Sequence, residues 1–199
     1  EIKSSSKEIL DNCNLLVKVN CPSNEEISNL KNNTILIGML NPSKNQNKFE
    51  EILKKDINIF SLELLPRITR AQSMDVLSSQ ANLAGYRAVV ESIYEFEKAI
   101  PMMMTAAGTV PAAKVLVIGA GVAGLQAIAT AKRLGAIVSA TDVRAASKEQ
   151  VESLGGKFLT VEGSENLETK GGYAKEAGED FKKKQAQMLA KAASNSDII

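Results

Sequence analysis

The sequence predicts an α/β fold with mostly parallel sheets, and three observations carry that expectation. Short aliphatic and β-branched runs alternate with stretches of helical periodicity along most of the chain. One run, Val115-Leu116-Val117-Ile118, feeds straight into the glycine-rich turn Gly119-Ala120-Gly121-Val122-Ala123-Gly124. A long helical stretch separates two regions of alternation. The expected architecture is therefore two Rossmann-like domains joined by a long helix, both incomplete: 1–70, a connecting helix over 71–100, and 101–199.

In order, residues 1–12 are polar with helical character, and 14–20 (Leu15, Leu16, Val17, Val19) form a strand ended by Pro22. Helical polar segments follow at 23–32 and 43–55, around a second strand at 34–40, and a third strand at 57–64 closes before Pro66. From Ala71 to Ile100 the apolar residues Met74, Leu77, Leu83, Tyr86, Val89, Val90, Ile93 and Phe96 recur near 3.6-residue spacing. At 1.5 Å per residue this helix reaches about 40 Å, enough to run between domains. Residues 99–113 read as the crossing. A membrane span is disfavoured there, because Lys114, Pro101, Pro111 and four glycines interrupt residues 101–124.

After the turn come a helix (Leu125, Ile128, Ala129, Leu134) and the run Ala136-Ile137-Val138-Ser139-Ala140-Thr141, ending in Asp142. A helix at 145–154 stopped by Gly155-Gly156, a strand at 157–161, a polar loop at 162–172 and a helix from Tyr173 to about Ser194 complete the chain. Glu1 in place of methionine, and a strand-like Asp197-Ile198-Ile199 at the other end, make the chain read as a fragment.

Composition narrows the chemistry. With 44% apolar and 24% charged residues in 199, the chain is ordinary globular protein, and a net charge of +1 argues against a nucleic-acid partner. Cys13 and Cys21 have no metal-ligand spacing, and no metal is expected. The absence of histidine removes imidazole acid–base work and Ser-His or Cys-His nucleophiles.

The glycine turn supplies the positive expectation. Gly119 permits the sharp turn, Gly121 lets a pyrophosphate approach the backbone, and Gly124 lets the helix lie close on the strand. The N–H groups of Ala120, Val122, Ala123 and their neighbours surround the new helix N-terminus, whose dipole favours phosphate. Asp142, 23 residues past Gly119, stands where an acid binds the adenosine ribose, with Val143 and Arg144 beside it. A carboxylate accepts from a 2′-hydroxyl and repels a 2′-phosphate, so NAD(H) is favoured over NADP(H). A plain βαβ unit without a ligand is the alternative reading of the same residues.

Three further segments carry a resemblance: Leu64-Leu65-Pro66-Arg67-Ile68-Thr69-Arg70-Ala71-Gln72-Ser73-Met74-Asp75, then Gln80-Ala81-Asn82-Leu83-Ala84-Gly85-Tyr86-Arg87, then residues 101–146. With Leu154-Gly155-Gly156-Lys157-Phe158 and Gly171-Gly172-Tyr173-Ala174-Lys175, they resemble the NAD(H)-binding component of proton-translocating NAD(P) transhydrogenase, closely over 64–199 and loosely before. The resemblance implies that Arg67, Gln72 and Asp75, with Ser78 nearby, hold the nicotinamide end, and that a loop at 162–172 with Tyr173 closes over it. It also implies Si-specific/Re-specific hydride transfer to NADP(H) on a partner component, and a membrane component that translocates protons. A homodimer peripheral to an organellar inner membrane or bacterial plasma membrane is implied as well. From the residues alone Thr69 and Gln72 equally match a helix capping box, and both readings stay open.

The rival family is alanine dehydrogenase. Lys18-Val19-Asn20-Cys21-Pro22 resembles its Lys-Val-Lys-Glu-Pro stretch, with Asn20 replacing the second lysine and no histidine anywhere. A non-catalytic NAD-binding module is the third reading.

Overall fold

A computed structural model describes residues 1–161 and 179–199. The chain divides into two compact units, Glu1–Leu77 and Ser78–Ile199. In the first, α1 (Ser6–Asn12), β1 (Leu15–Asn20), α2 (Asn24–Asn29), β2 (Ile35–Met39), α3 (Gln46–Leu53) and β3 (Asn58–Ser61) alternate. The strands form a parallel sheet in the order β1-β2-β3, with Leu16 opposite Leu36 and Leu36 opposite Ile59. Period-two alternation sends Leu16 and Leu36 into a core shared with Leu10, Ile27 and Ile52 of the three helices. Leu15, Val17 and Phe60 on alternate positions remain exposed, at 52%, 66% and 58%.

Ser23 caps α2: its hydroxyl accepts from the Glu26 N–H at 3.2 Å while the Glu26 carboxylate accepts from the Ser23 N–H at 2.7 Å. This reciprocal pair satisfies two N–H groups that the helix cannot. The strand expected over 57–64 ends at Ser61 and passes into a 3-10 turn, Leu62–Leu64. The turn brings the Glu63 carboxylate back to accept the N–H groups of Leu40 and Asn41, which a continuing strand would not allow.

The helix expected over 71–100 is shorter. Thr69–Met74 is a 3-10 helix, and α4 runs from Val76 to Phe96, closed by Glu97 at φ +53°. The capping box does not form, because Ile68 occupies the N-cap position of the 3-10 helix and no side chain caps it. Leu77, Leu83, Tyr86 and Tyr94 of α4 are exposed, whereas Gly85 and Val89 are buried.

In the second unit the stretch expected to be a bare crossing contains a hairpin, β4 (Met103–Thr105) with β5 (Gly108–Val110). Its tip is held by the Thr105 hydroxyl, which accepts from the Ala107 N–H at 3.2 Å, with Gly108 at φ +128°. Strands β6 (Lys114–Ile118), β7 (Ile137–Thr141) and β8 (Lys157–Phe158) then form a parallel sheet in that order. The connections are α5 (Val122–Arg133) and α6 (Ser147–Ser153), and α7 (Glu179–Ala193) follows. Ile198 makes a parallel bridge with Val115. Strand β8 stops three residues short of the expected 157–161.

Leu116, Val138 and Ala140 of the sheet and Ile128 and Ala131 of α5 bury the core with Val89 of α4 and Val151 of α6. Gly85 lets α4 touch α5: a Cβ there would stand 2.0 Å from the carbonyl oxygen of Ala123. No helix among the described residues is long and apolar enough to cross a membrane.

Candidate functional site

The site expected in the second unit lies at the carboxyl ends of β6 and β7, where open α/β sheets bind their ligands. Gly119 leaves β6 at φ +98°, a conformation that penalises any Cβ, and its N–H donates to the Thr141 carbonyl at 2.8 Å. Gly121 is the N-cap of α5, with extended backbone and no side chain capping the helix. The first turn of a 12-residue helix thus opens its N–H groups without a side-chain acceptor, the arrangement that attracts an anion.

The glycines divide their work. A Cβ on Gly124 would lie 1.8 Å from the Gly119 carbonyl oxygen, so this residue sets how closely helix and strand pack. At Gly121 the nearest atom to such a Cβ would be Nη2 of Arg144 at 4.0 Å. That space is open, and it is where a ligand phosphate approaches in a turn of this kind.

Asp142 closes the other side. Its Oδ2 accepts from the Ala120 N–H at 2.8 Å and from Arg144 Nη2 at 3.0 Å. Its Oδ1 accepts from the Arg144 N–H at 2.8 Å and from Arg144 Nε at 2.9 Å. The Asp142 side chain is 7% exposed and that of Arg144 24%. Burial by itself raises the carboxyl, but the Arg144 side chain, the Arg144 N–H and the Ala120 N–H outweigh it and hold the pKa below the ordinary aspartate value. Asp142 is therefore an ionised, oriented acceptor. The Arg144 fork and the Ala120 bond are legible only from the structure, since the sequence shows the acid and not its partners.

Of the remaining candidates, Val122 and Ala123 begin α5, and Val143 lines a pocket with Asp142 and Arg144. Arg67 and Gln72 are exposed and Asp75 is half-buried, all within one stretch around the 3-10 helix, while Ser78 sits in the first turn of α4. Tyr173 and the loop at 162–172 lie outside the described residues.

In the first unit Lys18 Nζ donates to both oxygens of Glu26 at 2.6 Å. That lysine braces the capping box of α2, and Glu26 is held below its ordinary pKa by the Lys18 hydrogen bond first and the Ser23 N–H second.

The fold and the turn define a class: an α/β chain with two sheet units, the second bearing a dinucleotide-type glycine turn and its acid. The family models agree in both halves, matching "Alanine dehydrogenase/PNT, N-terminal domain" over residues 1–84 and "Alanine dehydrogenase/PNT, C-terminal domain" over 88–199. The chain belongs to the alanine dehydrogenase/PNT family. It is 55% identical to an NAD(P) transhydrogenase subunit alpha protein of Rhodospirillum rubrum, over 99% of this chain and 53% of the relative. It is 50% identical to the protein of the same name from Rickettsia prowazekii, over 100% of this chain and 53% of the relative. The solved transhydrogenase of Sinorhizobium meliloti matches at TM-score 0.76 and 56% identity, over 79% of this chain and 47% of that one. An L-alanine dehydrogenase structure shares the fold at TM-score 0.66 and 21% identity, over 80% of this chain and 45% of that one. The chain spans about half the length of the curated relatives it matches.

Proposed function

We propose that this chain is the NAD(H)-binding part of a NAD(P) transhydrogenase, passing hydride directly between NADH and NADP+ carried by a partner component. The observation that carries the reading is Asp142, ionised and hydrogen-bonded to the glycine turn beside the uncapped N-terminus of α5. These groups fit a dinucleotide: N–H donors for the pyrophosphate, open space at Gly121, and a carboxylate for ribose hydroxyls. The relatives' names support the transhydrogenase assignment.

NADH supplies the hydride; the chain supplies position. In this reading Arg67, Gln72 and Asp75, with Ser78, offer the donor and acceptor pair that a nicotinamide carboxamide needs, and so fix the ring's face for transfer. No acid–base residue is required, consistent with a chain without histidine. Tyr173 and the 162–172 loop are proposed to close over the site. The NADP(H)-binding component and the membrane component, which couples transfer to proton translocation, are its partners. A homodimer at the membrane periphery is part of the same proposal. Against an alanine dehydrogenase activity stands Lys18, committed to Glu26.

The test is stopped-flow hydride transfer with the full-length protein. It should bind NADH unaided and catalyse NADH-to-NADP+ transfer only when the NADP(H)-carrying component is added. Binding with no transfer in the partner's presence would reduce the chain to a non-catalytic module.

A further inference from the structure

The Asp142 carboxylate is of the kind usually credited with excluding a 2′-phosphate by its own charge. Here that charge is not presented bare. All four of its acceptor positions are taken, three of them by Arg144 and one by Ala120. The guanidinium lies in a planar fork against the carboxylate, the geometry in which Arg binds carboxylate or phosphate equally well. Beside the pair opens a pocket of about 150 Å³ lined by Arg144, Lys148, Thr160 and Gln185 together with Asp142 itself. Two cations, a hydroxyl and a side-chain amide around one small cavity form a donor set suited to a phosphate monoester, next to the residue that reads the ribose.

We propose that Asp142 selects NAD(H) chiefly by sequestering Arg144, and that Arg144 with Lys148 forms a latent 2′-phosphate receptor which the Asp142–Arg144 fork keeps switched off. The proposal rests on the reading of this unit as an NAD(H) site and adds to it the origin of the selectivity. An aspartate that acted by repulsion alone would have no need of the arginine. An aspartate that acts by sequestration makes the arginine the decisive group: removing the carboxylate leaves a half-buried guanidinium seeking an anion at the position a 2′-phosphate occupies.

Equilibrium binding of NADH, NADPH and 2′,5′-ADP to the full-length protein tests this by fluorescence or calorimetry. Asp142→Asn, close in shape and uncharged, should tighten NADPH and 2′,5′-ADP by about tenfold or more, since a charge-assisted bidentate contact becomes available. The gain should vanish in Asp142→Asn/Arg144→Gln and shrink in Asp142→Asn/Lys148→Gln. An equal gain in the Arg144 double variant would mean that relief of repulsion is the whole effect, and no gain in Asp142→Asn would mean that no receptor exists; either overturns the proposal. Circular dichroism and a thermal melt accompany each variant, and Asp142→Ser replaces Asp142→Asn if the latter fails to fold. Failure of the unmodified protein to bind NADH at all would instead overturn the underlying site, and the receptor with it.

Discussion

Gly124 and Gly119 are in contact so close that a Cβ on Gly124 would stand 1.8 Å from the Gly119 carbonyl oxygen. The obstacle is backbone, which cannot rotate away. Gly124→Ala should therefore destabilise the protein by about 1 to 3 kcal/mol or more, the usual range for overpacking. Urea denaturation of wild type and variant measures it. Gly121→Ala is the control, because its Cβ enters open space: stability should change by no more than about 0.5 kcal/mol. Its NADH affinity should nevertheless fall, and a Gly121→Ala protein that binds NADH normally would remove Gly121 from the site.

Gly85 offers a sign test. In an exposed helix interior Gly→Ala gains about 1 kcal/mol of stability from helix propensity. At Gly85 the new Cβ would meet the Ala123 carbonyl oxygen at 2.0 Å, so α4 and α5 must separate. The clash should win, and Gly85→Ala should lower the melting temperature. A rise would show that the crossing has slack.

The acid limb of stability should respond to Glu26. Its folded pKa is lowered from an ordinary 4.5 by Lys18 and the Ser23 N–H. The unfolded chain thus binds the proton more readily, and stability rises with pH in this region. The contribution is complete above about pH 4.5 and disappears as pH falls through the lowered folded value. Glu26→Gln should cost about 1 kcal/mol near neutrality, as loss of a capping contact does. The same variant should flatten the acid dependence of the urea midpoint, and an unchanged pH profile would count against the Lys18–Glu26 bridge.

Gln72→Ala separates alignment from affinity. If the exposed 3-10 segment orients the nicotinamide while pyrophosphate and ribose are held at the glycine turn, the variant should slow hydride transfer by more than it weakens NADH binding. Single-turnover transfer rates and NADH titrations on one preparation decide it. Equal losses in both would assign Gln72 to general binding.

Much of this architecture is written locally. The run from Val115 to Asp142 carries its strand, turn, helix and strand in period and glycine placement, and each falls within a residue or two of its observed bounds. What escaped has a common cause in contacts distant along the chain. The 3-10 turn after Ser61 exists because Glu63 reaches Leu40 and Asn41, more than twenty residues back. The hairpin over 103–110 turns on Ala106-Ala107, which lacks the Asn-Gly or Asp-Gly signal of a two-residue turn. Periodicity extends the α4 pattern back to Ala71, although the chain breaks at Asp75 with ψ +86°. The Arg144 fork leaves no trace in the sequence for another reason: a residue two positions from an acid on a turn has no periodic signature.

The bond from Ala120 to Asp142 carries a consequence for solvent exchange. Beyond the last paired residues of β6 and β7, the Gly119 N–H meets the Thr141 carbonyl and the Ala120 N–H meets the Asp142 carboxylate, so the ladder gains two rungs above the sheet. These two protons belong to the sheet, and a bound phosphate must draw on the amides that follow, from Val122 onward. Deuterium uptake should divide there: slow at Gly119 and Ala120 with or without NADH, and slowed by NADH only in the first turn of α5.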